Sequence, residues 1–156
     1  MKHRFFIKIF FFALCYIAFF ACGDLAGLGG SGGNVSGSVY GKSFNQLSGS
    51  ADRLGSSFTI TITDATEFSC GSQSDTPSSY LLIDISDISD QSSGQSFSAN
   101  GRVFFNIVEN DVADGSAATS GLVTIDSVDD FSISGSIDAS GPNGSISGSF
   151  SVEVCN

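Results

Sequence analysis

After Asn34 polar and apolar positions alternate with a period of two almost everywhere. Phe58, Ile60 and Ile62 alternate with Ser57, Thr59, Thr61 and Thr63, the pattern of a strand with one face buried. Phe131, Ile133, Ile137 and Ala139 alternate with Ser132, Ser134, Ser136 and Asp138. Ile146, Phe150, Val152 and Val154 alternate with four serines and Glu153. Asn143-Gly144 lies between these last two runs and predicts a hairpin. Residues 80–85 (YLLIDI) and 103–108 (VFFNIV) are apolar on both faces, which predicts central strands. Residues 35–40 and 122–128 add two more, for about eight strands in all. No window sustains a helical period. The pattern therefore predicts one all-β domain over residues 35–156, a single antiparallel β-sandwich or flattened β-barrel.

Within the strands a short motif recurs at irregular spacing: Val35-Ser-Gly-Ser-Val39, Leu47-Ser-Gly-Ser-Ala51, Ile133-Ser-Gly-Ser-Ile137 and Ile146-Ser-Gly-Ser-Phe150. Each glycine (Gly37, Gly49, Gly135, Gly148) shares a face with the apolar residues two before and two after it. A glycine there leaves room for a bulky neighbour or lets the strand bend. Four of them predict a strongly coiled sheet that closes, or nearly closes, on itself.

Composition sharpens this picture. Gly and Ser supply 19 and 30 of the 156 residues, Trp is absent, and the one His is His3. A formal charge of −10 argues against a nucleic-acid partner, which would require a basic face. Catalysis or metal binding through histidine lacks its residues. Gly29-Gly-Ser-Gly-Gly33 fits the spacing of a nucleophile elbow, but no strand, helix or histidine accompanies it. Gly41-Lys42-Ser43 resembles the end of a phosphate loop, yet Ser36 stands where the first glycine belongs.

The N-terminus is a different kind of sequence. Lys2, Arg4 and Lys8 precede 13 uncharged residues, Ile9 to Ala21. A bilayer-spanning helix needs about 20 apolar residues, so residues 1–21 read as an export signal. The run ends in Phe19-Phe20-Ala21-Cys22-Gly23. A small residue before a Cys at that place resembles the lipobox of bacterial lipoproteins, with Phe19 where the family usually has Leu. The resemblance implies that Cys22 becomes the mature N-terminus and carries lipid on its sulfur and amine. Residues 22–34 then form the lipidated Cys and a Gly-rich flexible tether. In such lipoproteins Gly23, rather than Asp, after the Cys favours the outer membrane, with the periplasmic and surface faces both open. An ordinary secretory signal cut near Ala21 is the alternative.

Removing the signal leaves Lys42, Arg53 and Arg102 against all 16 acids, a formal charge of −13. With Cys15 lost and Cys22 acylated, Cys70 and Cys155 remain, and an even remainder in an exported chain reads as one disulfide. Two thiols that never meet are the alternative. Cys155 has the parity of the outer, serine-bearing face, which predicts a bond at the rim. The V-x-G-x-V strands, the Ile/Thr strand leading to a Cys and the last strand ending in Cys look like small all-β domains of many uncharacterised bacterial lipoproteins. No activity comes with that resemblance.

Three acidic groups are weak candidates for calcium ligands: Asp84, Asp87 and Asp90; Asp126, Asp129 and Asp130; and Asn110, Asp111 and Asp114. None fits the D-x-D-x-D-G spacing of a helix-loop-helix calcium site. No metal or cofactor is therefore assigned. The reading is a lipid-anchored, non-enzymatic cell-envelope protein whose β domain binds a protein or small molecule, or serves a structural role. Its membrane contact runs through the anchor. Candidate surfaces are the loops 71–79 and 86–96 and the long loop 109–120. The alternative is a carboxylate-based hydrolase of envelope or extracellular glycans, disfavoured by the lack of Trp platforms.

Overall fold

Inward-facing residues of the alternating runs meet in one core that includes Phe44, Ile60, Ile62, Leu81, Ile83, Phe105, Ile125, Ile133 and Phe150, each almost wholly buried. The structure, a computed structural model, describes residues 32–73, 75–88 and 94–155. The predicted signal, Cys22, most of the predicted tether and Asp90 lie outside the described residues.

The described chain is all-β. Strands β1 (Ser36–Val39), β2 (Lys42–Asn45), β3 (Ser48–Leu54) and β4 (Ser57–Thr63) come first. The short pair β5 (Phe68–Ser69) and β6 (Ser72–Gln73) follows, then β7 (Ser79–Ile85), β8 (Gln95–Ser98) and β9 (Val103–Glu109). Strands β10 (Val112–Ala117), β11 (Ser120–Val128), β12 (Ser132–Gly141) and β13 (Gly144–Cys155) complete it. Nine strands form one curled mixed sheet in the order β10-β9-β7-β4-β3-β13-β12-β11-β8, a half-barrel, with β1 and β2 branching from β13.

Thirteen strands are thus described where about eight were expected. Tyr40 and Gly41, both at positive φ (49° and 74°), turn the chain tightly between β1 and β2. Asn110 and Asp111 (φ 50° and 61°) do the same between β9 and β10. Such paired left-handed residues make the two-residue hairpin turn whose twist matches the strands. The stretch 109–120, expected to be a long loop, is therefore mostly strand. The hairpin expected around Asn143-Gly144 is present, with Pro142 and Asn143 as its turn and Gly141 opposite Gly144.

The expectation of an antiparallel sheet needs correction at one pair: β3 runs parallel to β13. No turn separates β2 from β3; Gln46 and Leu47 carry the chain on in the same direction. The first half of β13 is flanked by β1, and β3 takes that place from Glu153 onward.

The recurring glycines sit where strands crowd. A Cβ on Gly37, Gly49, Gly135 or Gly148 would overlap a backbone carbonyl of a neighbouring strand: Ser145, Thr61, Thr124 and Asn34 respectively. Gly135 also leaves room for the Phe150 ring and pairs with Ile125 beside a register shift between Ile125 and Ser127. Such a bulge increases local twist and bends the sheet. A second bend lies at the path's two ends. Ala118 N donates to Val103 O (2.7 Å) and Ala99 N to Gly121 O (3.0 Å), so the β9/β10 hairpin runs on into the β8/β11 pair around a corner.

Candidate functional site

The outer face of β3, β4 and β7 is where the molecule departs from a simple polar-out sheet. Ser48, Ser50 and Thr63 point outward by strand parity yet are buried, at 5%, 6% and 0% exposure. The segment 64–78 lies over them. Ser48 Oγ donates to Ala65 O (2.5 Å), and Ala65 N donates to Thr63 Oγ1 (2.9 Å). Asp64 fixes the far end: its carboxylate accepts from Ser78 N (3.0 Å), Ser79 N (3.1 Å) and both serine hydroxyls. Nothing in the sequence pattern marks Asp64, because its partners lie 14 and 15 residues away.

The covering segment is tied down by the disulfide Cys70–Cys155, whose Cα atoms are 5.3 Å apart. Cys70 N also donates to Glu153 Oε1. Cys155 lies on the same side of β13 as Ser151 and Glu153 and is half-buried, which puts the bond at the rim. Together the two links hold segment 64–78 against the outer face. They also explain why residues 80–85 are apolar on both sides: Tyr80 and Leu82 face the cover.

Several of the acidic residues bond within the fold. Asp84 Oδ1 accepts from Thr59 Oγ1 (3.0 Å) across the β4–β7 ladder. Asp87 has a left-handed backbone (φ 63°) just after β7. Asp129 accepts from Phe131 N (2.8 Å), Ser132 N (2.7 Å) and Ser132 Oγ (3.0 Å). The backbone N–H of Phe131, then the backbone N–H and the hydroxyl of Ser132, hold its carboxyl below the usual value of 3.8. Asp130 reaches Arg53 at 3.7 Å, while Asp126 is exposed on β11. Asp111 forms the β9–β10 turn and Asp114 lies on β10. Among the described residues no group of three or more His, Cys, Asp or Glu is placed to hold a metal ion.

Three open grooves border the surfaces singled out from the sequence. The largest, about 500 Å³, lies between the Tyr40 turn and the β9/β10 hairpin, lined by Tyr40, Ile107, Glu109, Asn110, Val112 and Asp114. At this end of the molecule Lys42 Nζ meets Glu109 Oε1 at 2.9 Å, both side chains more than half exposed. A mostly apolar groove of about 370 Å³ runs along the edge of the cover, lined by Thr61, Phe68, Pro77, Tyr80, Leu82 and Val108. The third, about 260 Å³, lies beside Asp84, Ser86 and Arg102. No family model matches the chain, and no match is found among curated proteins or solved structures.

Proposed function

We propose that this is a lipid-anchored protein of the bacterial envelope, held through Cys22, whose β domain works by contact rather than catalysis. The observation that carries this reading is the sequence Ala21-Cys22 at the end of a charged-then-apolar leader too short to span a bilayer. The Cys70–Cys155 bond supports it, because such bonds persist in oxidising, extracytoplasmic compartments. Several acyl chains, at about 0.8 kcal/mol per buried CH₂, make such anchoring effectively permanent. Gly23 after the Cys supports a place in the outer membrane.

We read the curled sheet as a flattened barrel closed by the corner at Ala99 and Ala118. Its binding surface is the groove between Tyr40 and the β9/β10 hairpin, an apolar floor of Ile107 and Val112 rimmed by Glu109, Asn110 and Asp114. Apolar lining with a few convergent polar groups suits a small molecule or a peptide side chain.

Metabolic labelling with a fatty-acid analogue in a bacterial host tests the anchor. The full chain should take up label, and Cys22→Ser should take up none. Equal labelling of both overturns the lipoprotein reading. For the groove, a thermal-shift screen of small molecules and peptides should find ligands whose stabilisation is lost in Ile107→Asp. Turnover of envelope glycans by the purified protein would instead return the carboxylate hydrolase.

A further inference from the structure

Among the described residues, the two most exposed large apolar side chains are Leu54 (84%) and Phe131 (80%). Singly, such residues are ordinary. These two occupy neighbouring turns at one end of the molecule. Leu54 ends β3, and the next turn, between β11 and β12, carries Phe131. Arg53 and Asp130, the residues just before each of them, approach within 3.7 Å. Neither turn is loose. Asp129 accepts from Phe131 N and Ser132 N, and Phe131 O accepts from Val154 N (2.8 Å). Arg53 is held over the Phe58 ring at 5.6 Å. Both apolar tips are thus presented to solvent by turns fixed through their own hydrogen bonds and charges.

The route of the chain gives this end its meaning. Asn34 N donates to Ser149 O, Gly33 bridges Phe150, and Gly32 O accepts from Ser151 N (2.6 Å). Followed back from β1, the chain therefore runs beside β13 toward Cys155, which pairs with Asp52 next to Arg53 and Leu54. From Ser151 to Cys155 is about 13 Å of strand. Cys22 to Ser31 is ten residues, which span at most about 35 Å. An anchor at Cys22 is thus led toward the end that carries Leu54 and Phe131, with length to pass it.

We propose that this end is a lipid-contact face: Leu54 and Phe131 insert into the interfacial layer of the membrane that holds the anchor, and the Tyr40 groove points away from it. The inference rests on the lipoprotein reading above. Asp52 and Asp129 are exposed around the tips beside the Arg53–Asp130 pair, so the face is net negative, suits zwitterionic phospholipid and is repelled by anionic lipid. Two shallow apolar contacts would add little affinity to the acyl chains; their effect is to fix the domain's orientation.

The chain contains no Trp, so single-Trp variants report position directly. Full chains carrying Phe131→Trp, Leu54→Trp or, as control, Val112→Trp on β10 would be expressed with their leader in bacteria. After processing they would be reconstituted in phosphatidylcholine vesicles with brominated acyl chains. Trp at 131 and 54 should be blue-shifted and lose about half its emission, as fits a side chain about 5–10 Å into the interface. Trp at 112 should be unaffected, and added phosphatidylglycerol should reduce the quenching. Fatty-acid labelling of the same samples separates the two readings. Labelled protein with unquenched Trp at 131 and 54 overturns the lipid face and leaves the anchor standing. A blue shift at 131 without bromine quenching also overturns it, and points to a protein or a second copy as occupant. Equal quenching at 112 overturns the orientation. Unlabelled protein overturns the anchor and this face with it.

Discussion

The two flanks of the sheet solve the same problem differently. Across β11, β12 and β13 the outer face carries hydroxyls: Ser127 meets Ser134 at 2.7 Å and Ser120 meets Ser140 at 2.8 Å, both exposed. Across β4, β7 and β9 the outer face carries Leu82 and Tyr80, and segment 64–78 covers part of it. A hydroxyl face costs little to leave in water, so it needs no cover and contributes little. An apolar face gains from burial but makes the molecule depend on whatever covers it. Stability should therefore be concentrated on the inner core and on the covered flank.

The largest effect expected is at a residue on which both flanks rest. Phe105 on β9 packs against Gly141 and Gly144 at the β12–β13 turn. Phe105→Ala should cost about 3–5 kcal/mol in denaturant unfolding. A loss below about 1 kcal/mol would mean the flanks are not coupled through this ring.

Next comes the cover. Reducing Cys70–Cys155, or replacing both with Ser, should cost about 2–4 kcal/mol. It should speed proteolysis within 64–78 before β11–β13 are cut, read by mass spectrometry of limited digests. Cleavage starting in β11–β13 would reverse the comparison. Smaller again is Asp64→Ala, which leaves the nearly buried Ser79 without its partner and should cost about 1–3 kcal/mol.

On the hydroxyl flank, Ser127→Ala and Ser134→Ala should each stay within about 0.5 kcal/mol of the parent in thermal unfolding. The smallest effect is Asp129. Its carboxyl is lowered in the fold, so its contribution is present above its usual value of 3.8 and is lost as pH falls through the folded value. Asp129→Asn should therefore match the parent below that window and be slightly less stable above it. A variant as stable as the parent at neutral pH would contradict the assignment.

The readable part of this protein is the part governed by local alternation. Residues 58–63, 80–85, 103–108, 122–128, 132–139 and 144–154 all lie in strands, because each has one face that must be buried, whereas Phe131, read as the first inward residue of its run, lies in the turn before β12 and is exposed. Strand β10 escaped because an exposed edge strand (VADGSA) has no buried face to impose a period. The Tyr40-Gly41 turn escaped because Tyr rarely accepts a positive φ. The β3–β13 pairing has no local signature at all, being set by where β2 and β3 run. The disulfide was legible from cysteine count and strand parity, whereas the cover it pins was not, since Phe68 and Pro77 stand in no periodic pattern. Of the candidate ligand carboxylates, Asp84 bonds across a ladder and Asp129 within a turn, and the Tyr40 groove joins residues about 70 apart in sequence.

Strand β13 lies between β12 on one side and β1 and β3 on the other, although it follows all of them in the chain. A polypeptide crossing a membrane N-terminus first would deliver β1, β2 and β3 long before the strand that joins them to the rest. Until β13 arrives, β1 is bonded only to β2, and Cys70 must wait 85 residues for its partner sulfur. Such long-range pairing is slow to form. In a chain exported that way, this topology would keep the early strands incomplete during transit, and the sheet would lock as a unit only after β13 is across.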